Sequence, residues 1–209
     1  MSVVTAPRRR WEHKLLTILS YPANLMFAGV AAAILSLGVV TALPAAIAAS
    51  RAMSLWLRDG EDAVFTTTFK EFAATWRRSL PLGVASVVIV LVLSANTVFL
   101  WGRAGSGADG PALLLGAATA VLGCAGALVL LALPVATTRS PDGDRRSWLI
   151  ESAYLVARRP LRSVILLGIV VAVAATFYLL PTLVPFVGIS IPVYLALVTF
   201  GHGPVNELP

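Results

Sequence analysis

Histidine, cysteine and charge are all scarce in this sequence. Its 209 residues include two histidines, His13 and His202, and one cysteine, Cys124. A lone thiol closes no internal disulfide, and Cys124 has no metal-ligand neighbours, so it reads as a small packing residue in an apolar run. With two isolated histidines, neither HExxH nor a Ser-His-Asp arrangement can be argued, and no Walker A motif is present. A metal-ligand role is not expected for either histidine. No acid–base or nucleophile constellation points to an enzyme, and no cofactor is implied.

Charged residues make up only 12% of the chain, against about a quarter in a soluble domain. Hydrophobic residues make up 58%, and the mean hydropathy is +0.86. This much apolar surface exceeds what one soluble core can hold. No Asp, Glu, Lys or Arg occurs between Lys14 and Arg51, between Arg78 and Arg103, between Asp109 and Arg139, or between Arg162 and Glu207. Crossing a hydrocarbon layer of about 30 Å takes about 20 apolar residues. The second and third gaps fit one span each, and the first and fourth about two each. The fold class expected is therefore all-α: a polytopic membrane helical bundle over residues 1–209, with about six membrane segments as three helical hairpins. The spans fall at about 23–40, 42–57, 81–101, 111–135, 161–180 and 183–200.

The spans also lack Asp, Glu, Lys and His in their middles. Such residues mark proton relays and ion-coupled transport, so a proton-coupled pump is disfavoured. Arg51 is the only charge well inside a candidate span, since Arg162 falls at the very start of its own. Its simplest role is snorkelling toward headgroups, with a lipid phosphate as the functional alternative.

The charge that is present flanks the apolar runs. The net +6 sits where it would orient spans and meet anionic headgroups, a pattern unlike a nucleic-acid surface. Three amphipathic helices are expected on the cytoplasmic face, over 8–21, 63–79 and 148–159. In the first, Trp11, Leu15, Ile18 and Leu19 share a face; in the second, Phe65, Phe69, Phe72 and Trp76 recur at i, i+4, i+7 and i+11; in the third, Leu149, Tyr154, Leu155 and Val156 form the apolar side. Each precedes a proline and an apolar run, which makes a weak internal repeat. The basic "PRRRWEHK" precedes an apolar run too long for a cleavable leader, so the first span reads as an uncleaved anchor. "GSGADG" (Gly105–Gly110) formally matches G-x-G-x-x-G but lacks a strand before it, and reads as a linker.

The basic segments set the orientation. Arg8, Arg9, Arg10 and Lys14, the stretch Arg58 to Arg78, and the stretch Arg139 to Arg162 belong in the cytoplasm by the positive-inside rule. The chain must then go out and back between Lys14 and Arg58, with Pro44 near an outer corner and Thr41 capping the returning helix. That returning limb is only about 24 Å long, with Trp56 as its inner anchor. One kinked span with the N-terminus outside is the rival, but it strands four basic residues on the wrong side.

The stretch from Asn24 to Leu80 carries "LGVVTALPAAIAA" (Leu37–Ala49) and "LRDGEDAVFTTTFKEFAATWRRSL" (Leu57–Leu80). In these blocks it resembles the YesL-like family of small bacterial membrane proteins, whose molecular function is unknown. Past Pro81 the likeness is one of layout. The resemblance implies a multi-pass protein of the bacterial plasma (inner) membrane in an accessory role beside carbohydrate uptake, and the charge placement puts both termini in the cytoplasm. It defines no catalytic residues.

The expected function is thus a non-enzymatic accessory or partner-binding membrane protein. Its partners are a bilayer with anionic headgroups and a membrane protein, with no nucleic acid; the oligomeric state is open. Candidate partner or headgroup contacts are Arg51, Phe65, Phe69, Phe72, Trp76, Arg77, Arg78, Arg158 and Arg159. The alternative is a small transporter or lipid-handling protein, with a polar pathway lined by Asn24, Asn96, Thr119 or Thr176.

Overall fold

A computed structural model describes residues 8–60, 63–104 and 110–201. Among the described residues all regular structure is helical: α1 (Arg8–Leu35), a 3-10 turn (Val39–Thr41), α2 (Ala42–Asp59), α3 (Val64–Ala104), α4 (Gly110–Arg139), α5 (Arg145–Arg158), α6 (Pro160–Leu179), a second 3-10 turn (Pro181–Leu183), α7 (Val184–Val187) and α8 (Ser190–Gly201). The side chains of Trp11, His13, Leu15 and Ile18, the linker residues 105–109, and His202 with the tail after it lie outside the description.

Two prolines expected to open spans lie inside helices, and so does a third, Pro134. Pro22 is within α1, Pro81 within α3 and Pro134 within α4. The first two amphipathic segments therefore run straight into the apolar stretches that follow them. A proline removes one donor from the helical ladder, and apolar helices tolerate this when other donors reach the freed carbonyls. Next to the Arg77 carbonyl, which Pro81 leaves without its helical donor, the carbonyl of Arg78 accepts a 2.9 Å bond from Arg145 Nε.

The remaining ends follow local chemistry. Gly60 closes α2 with φ +72°, a left-handed conformation that glycine adopts without strain, and its N–H donates to the Trp56 carbonyl. Asp144 caps α5 by accepting from the Ser147 N–H at 2.8 Å. Pro160 occupies the first turn of α6. Thr41 does not cap α2 as its position suggests; its hydroxyl turns back to the carbonyls of Leu35 and Gly38 and ties the corner to the end of α1.

The core is built on α2. Ala45, Ala49, Ala52 and Met53 are buried against Ala28 and Ala32 of α1, Ala132, Val135 and Ala136 of α4, and Val193, Ala196 and Phe200 of α8. Alanine dominates because small side chains let helix axes approach closely, the usual source of attraction between apolar helices. A second cluster joins Ile47, Leu133 and the fully buried Trp148 of α5. The buried side of α5 is Trp148, Ser152 and Leu155, while Leu149 and Tyr154, which the sequence pattern puts on the apolar side, are exposed.

Among the described residues, four helices are long and apolar enough to cross a membrane: Val39–Asp59, Val64–Arg103, Leu114–Arg139 and Pro160–Leu179. A pair bent by 53°, Pro181–Val187 and Ser190–Gly201, makes up to five, and Leu19–Leu35 is a shorter apolar helix.

Candidate functional site at the α2–α3 seam

α3 meets α2 through a stripe absent from the sequence reading. Val64, Thr68, Thr75, Ser79 and Gly83 are buried along one face of α3. Their spacing is helical, and all are small or β-branched. The three hydroxyls donate to carbonyls of their own helix: Thr68 to Val64 at 2.8 Å, Thr75 to Glu71 at 2.7 Å, and Ser79 to Thr75 at 3.0 Å. A buried hydroxyl that satisfies itself in this way needs no partner on α2. Small or β-branched residues recurring at intervals of four and seven are the signal that identifies this face.

The aromatic stripe lies to the side of this seam. Phe65 and Phe69 are partly covered and stack with ring centroids 5.2 Å apart, and Phe72 packs against the core. Trp76 is exposed, with the Arg77 guanidinium 5.6 Å over its ring. Arg78 is exposed on the next position.

Arg51, expected to reach toward headgroups, instead turns into the protein. Its Nε lies 2.8 Å from Glu71 Oε2, and the two side chains are 18% and 22% exposed. The contact pairs charge with charge without a directed hydrogen bond, since Glu71 Oε2 accepts none. Arg51 thus compensates the one carboxylate on this stretch of α3.

A basic rim borders the seam. Arg145 reaches Arg78 as described, and a cleft of about 280 Å³ lies between Arg78, Asp142, Gly143, Asp144 and Arg145. Two arginines facing two aspartates leave it no net pull on an ion of either sign. The Ser147 backbone N–H, followed by its hydroxyl and the Arg146 charge, holds the Asp144 carboxyl below the usual 3.8. At the far end of α5, the Arg158 guanidinium lies 5.9 Å over Tyr154, and Arg159 Nη1 is buried with no hydrogen-bond partner among the described residues. Arg139 of α4 donates to the Phe200 carbonyl, and Ser140 donates to Glu151.

The four residues proposed to line a pathway do not converge. Asn96 Nδ2 donates to Thr119 Oγ1 at 2.6 Å, joining α3 to α4. Asn24 is buried on α1, and Thr176 donates to Ala172 of its own helix. Among the described residues no three His, Cys, Asp or Glu side chains group as metal ligands.

Residues 21–97 match the family described as "Protein of unknown function, DUF624". The matched stretch runs from Tyr21 through α1 and α2 and along most of α3, so it covers the α2–α3 seam and the Arg51–Glu71 pair. No curated protein and no solved structure matches the chain.

Proposed function

We propose that the protein is a YesL-like, non-enzymatic component of the bacterial inner membrane, a partner-binding accessory to carbohydrate uptake with both termini in the cytoplasm. The observation that carries this reading is the separation of two stripes on α3. Val64, Thr68, Thr75, Ser79 and Gly83 do the packing, which leaves Phe65, Phe69 and Trp76 at the margin beside Arg77 and Arg78. Aromatic residues next to arginine are the residue types that anchor interfaces. The match over 21–97 supports the family side of the reading and includes this whole surface.

The test is purification in mild detergent from its own cells. A membrane component of a sugar permease should accompany the protein in fixed ratio, and the double variant Phe69→Ala/Trp76→Ala should release it without changing the thermal midpoint. Absence of any partner, together with solute uptake by liposomes holding the pure protein, would establish a transporter instead.

A further inference from the structure

α3 is one unbroken helix of 41 residues, about 60 Å long and about twice the thickness of a hydrocarbon layer. Its two halves keep different company. From Val64 to Gly83 it lies antiparallel along α2: Val64 shares the cluster of Met53 and Trp56, Glu71 meets Arg51, and Gly83 abuts the Val40 carbonyl and Pro44. From Val84 to Trp101 it pairs with the first half of α4, with Leu93 near Gly123, Asn96 bonded to Thr119, and Leu100 near Gly116. The two partners occupy successive slabs along one axis, so a single bilayer holds one of them.

The second half has the properties of the lipid-embedded slab. It is about 30 Å long and uncharged between Arg78 and Arg103. It is apolar on the outside in both helices, as Val88, Leu91, Val92 and Val98 of α3 and Leu114, Val121 and Leu122 of α4 are all exposed. Trp101, 82% exposed, stands at one end, as aromatic residues do at a membrane interface. Arg77, Arg78, Arg145 and Arg146 stand at the other, all exposed, and outnumber Asp142 and Asp144 beside them. The first half carries Lys70 and Glu71 at the level of α2, and its neighbour α2 has 56% of its apolar window covered by protein, against 6% for α3 and 6% for α4.

We infer that the lipid-contact surface includes the α3–α4 hairpin beyond Gly83, that anionic headgroups meet Arg77, Arg78, Arg145 and Arg146, and that α2 does not cross the bilayer. The α1–α2 corner then lies on the same side as those arginines. Gly83, which touches the corner, is five residues past Arg78, about 8 Å along the helix. This reverses the outer corner expected from charge alone, while still satisfying the positive-inside rule, because a hairpin that never crosses also begins and ends on one side. The inference rests on the membrane reading proposed above.

The experiment places single cysteines by Leu37→Cys, Asp144→Cys and Gly110→Cys in a Cys124→Ser background, and reads labelling by an impermeant maleimide. All three positions are exposed, Leu37 at 84%, and each should label in detergent. In membranes, Leu37→Cys and Asp144→Cys should label from one side and Gly110→Cys from the other. Labelling of Leu37→Cys from the Gly110 side overturns the inference, as does its protection from both sides. Release of the whole protein by alkaline carbonate would be a different failure, that of the membrane reading itself.

Discussion

Arg51 of α2 and Glu71 of α3 pair across the seam, 2.8 Å apart and about four-fifths covered. The pair is intermediate between exposed ion pairs, which contribute at most about 1 kcal/mol, and buried ones, whose disruption costs about 3–5 kcal/mol. Arg51→Ala should therefore destabilise the protein by about 1–3 kcal/mol, and Arg51→Ala/Glu71→Ala by less than the single change, because no charge is left uncompensated. Arg58→Ala, exposed at the end of the same helix, should stay within about 0.5 kcal/mol. Thermal unfolding in detergent measures all three.

Gly29 of α1 sits against the carbonyl of Phe186, where a Cβ would overlap the oxygen. Gly29→Ala should force α7 away and destabilise by about 1–3 kcal/mol, the usual scale of overpacking. Gly168 in α6 has open space around it, so Gly168→Ala should leave the midpoint unchanged or raise it. An equal loss in both variants would contradict the packing described.

Trp148 is fully buried, and its Nε1–H donates to the Ser140 carbonyl at 2.8 Å. Trp148→Ala should cost about 3–5 kcal/mol through the cavity it leaves. Trp148→Phe should cost nearer 1–2 kcal/mol, since the Ser140 carbonyl keeps its bond from the Gly143 N–H. Chemical denaturation followed by circular dichroism separates the two.

Asp144 gives a pH test. Its carboxylate is held below 3.8 by the Ser147 N–H, so it binds protons more weakly folded than unfolded. Its contribution is present above pH 3.8 and is lost as the pH falls through the lower folded value. Below pH 3.8 the midpoint of the wild type should drop more steeply than that of Asp144→Asn, which can still cap α5 but does not titrate. Parallel slopes would remove Asp144 from any role in acid stability.

The apolar runs and their charged borders made the helical membrane class legible in the sequence, because hydrophobic length and charge placement survive without knowledge of contacts. The buried faces were not legible in the same way. In a lipid-facing protein the outside is as apolar as the inside, so Leu149 and Tyr154 of the expected apolar side of α5 are exposed, while Thr68, Thr75 and Ser79, which belong to no expected apolar face, are buried. The partner of Arg51 was hidden for a related reason. Glu71 sits 20 positions away in the same charged cluster as Lys70 and Arg77, and only the antiparallel course of α2 and α3 selects it. Pro22 and Pro81 misled as boundaries, since their helices continue through them.

The inward-turned hydroxyls of α3 have a mechanical consequence. Thr68, Thr75 and Ser79 spend their donors on their own backbone, so the face they show to α2 offers little to grip. A smooth face of this kind resists separation but not sliding. The sliding coordinate is fixed at two places: a stop where Gly83 meets Val40, and an electrostatic latch where Arg51 meets Glu71. The alignment of the two helices is thus held like a rod by an end-stop and a catch, and loosening the catch would let the helices shift in register before they part.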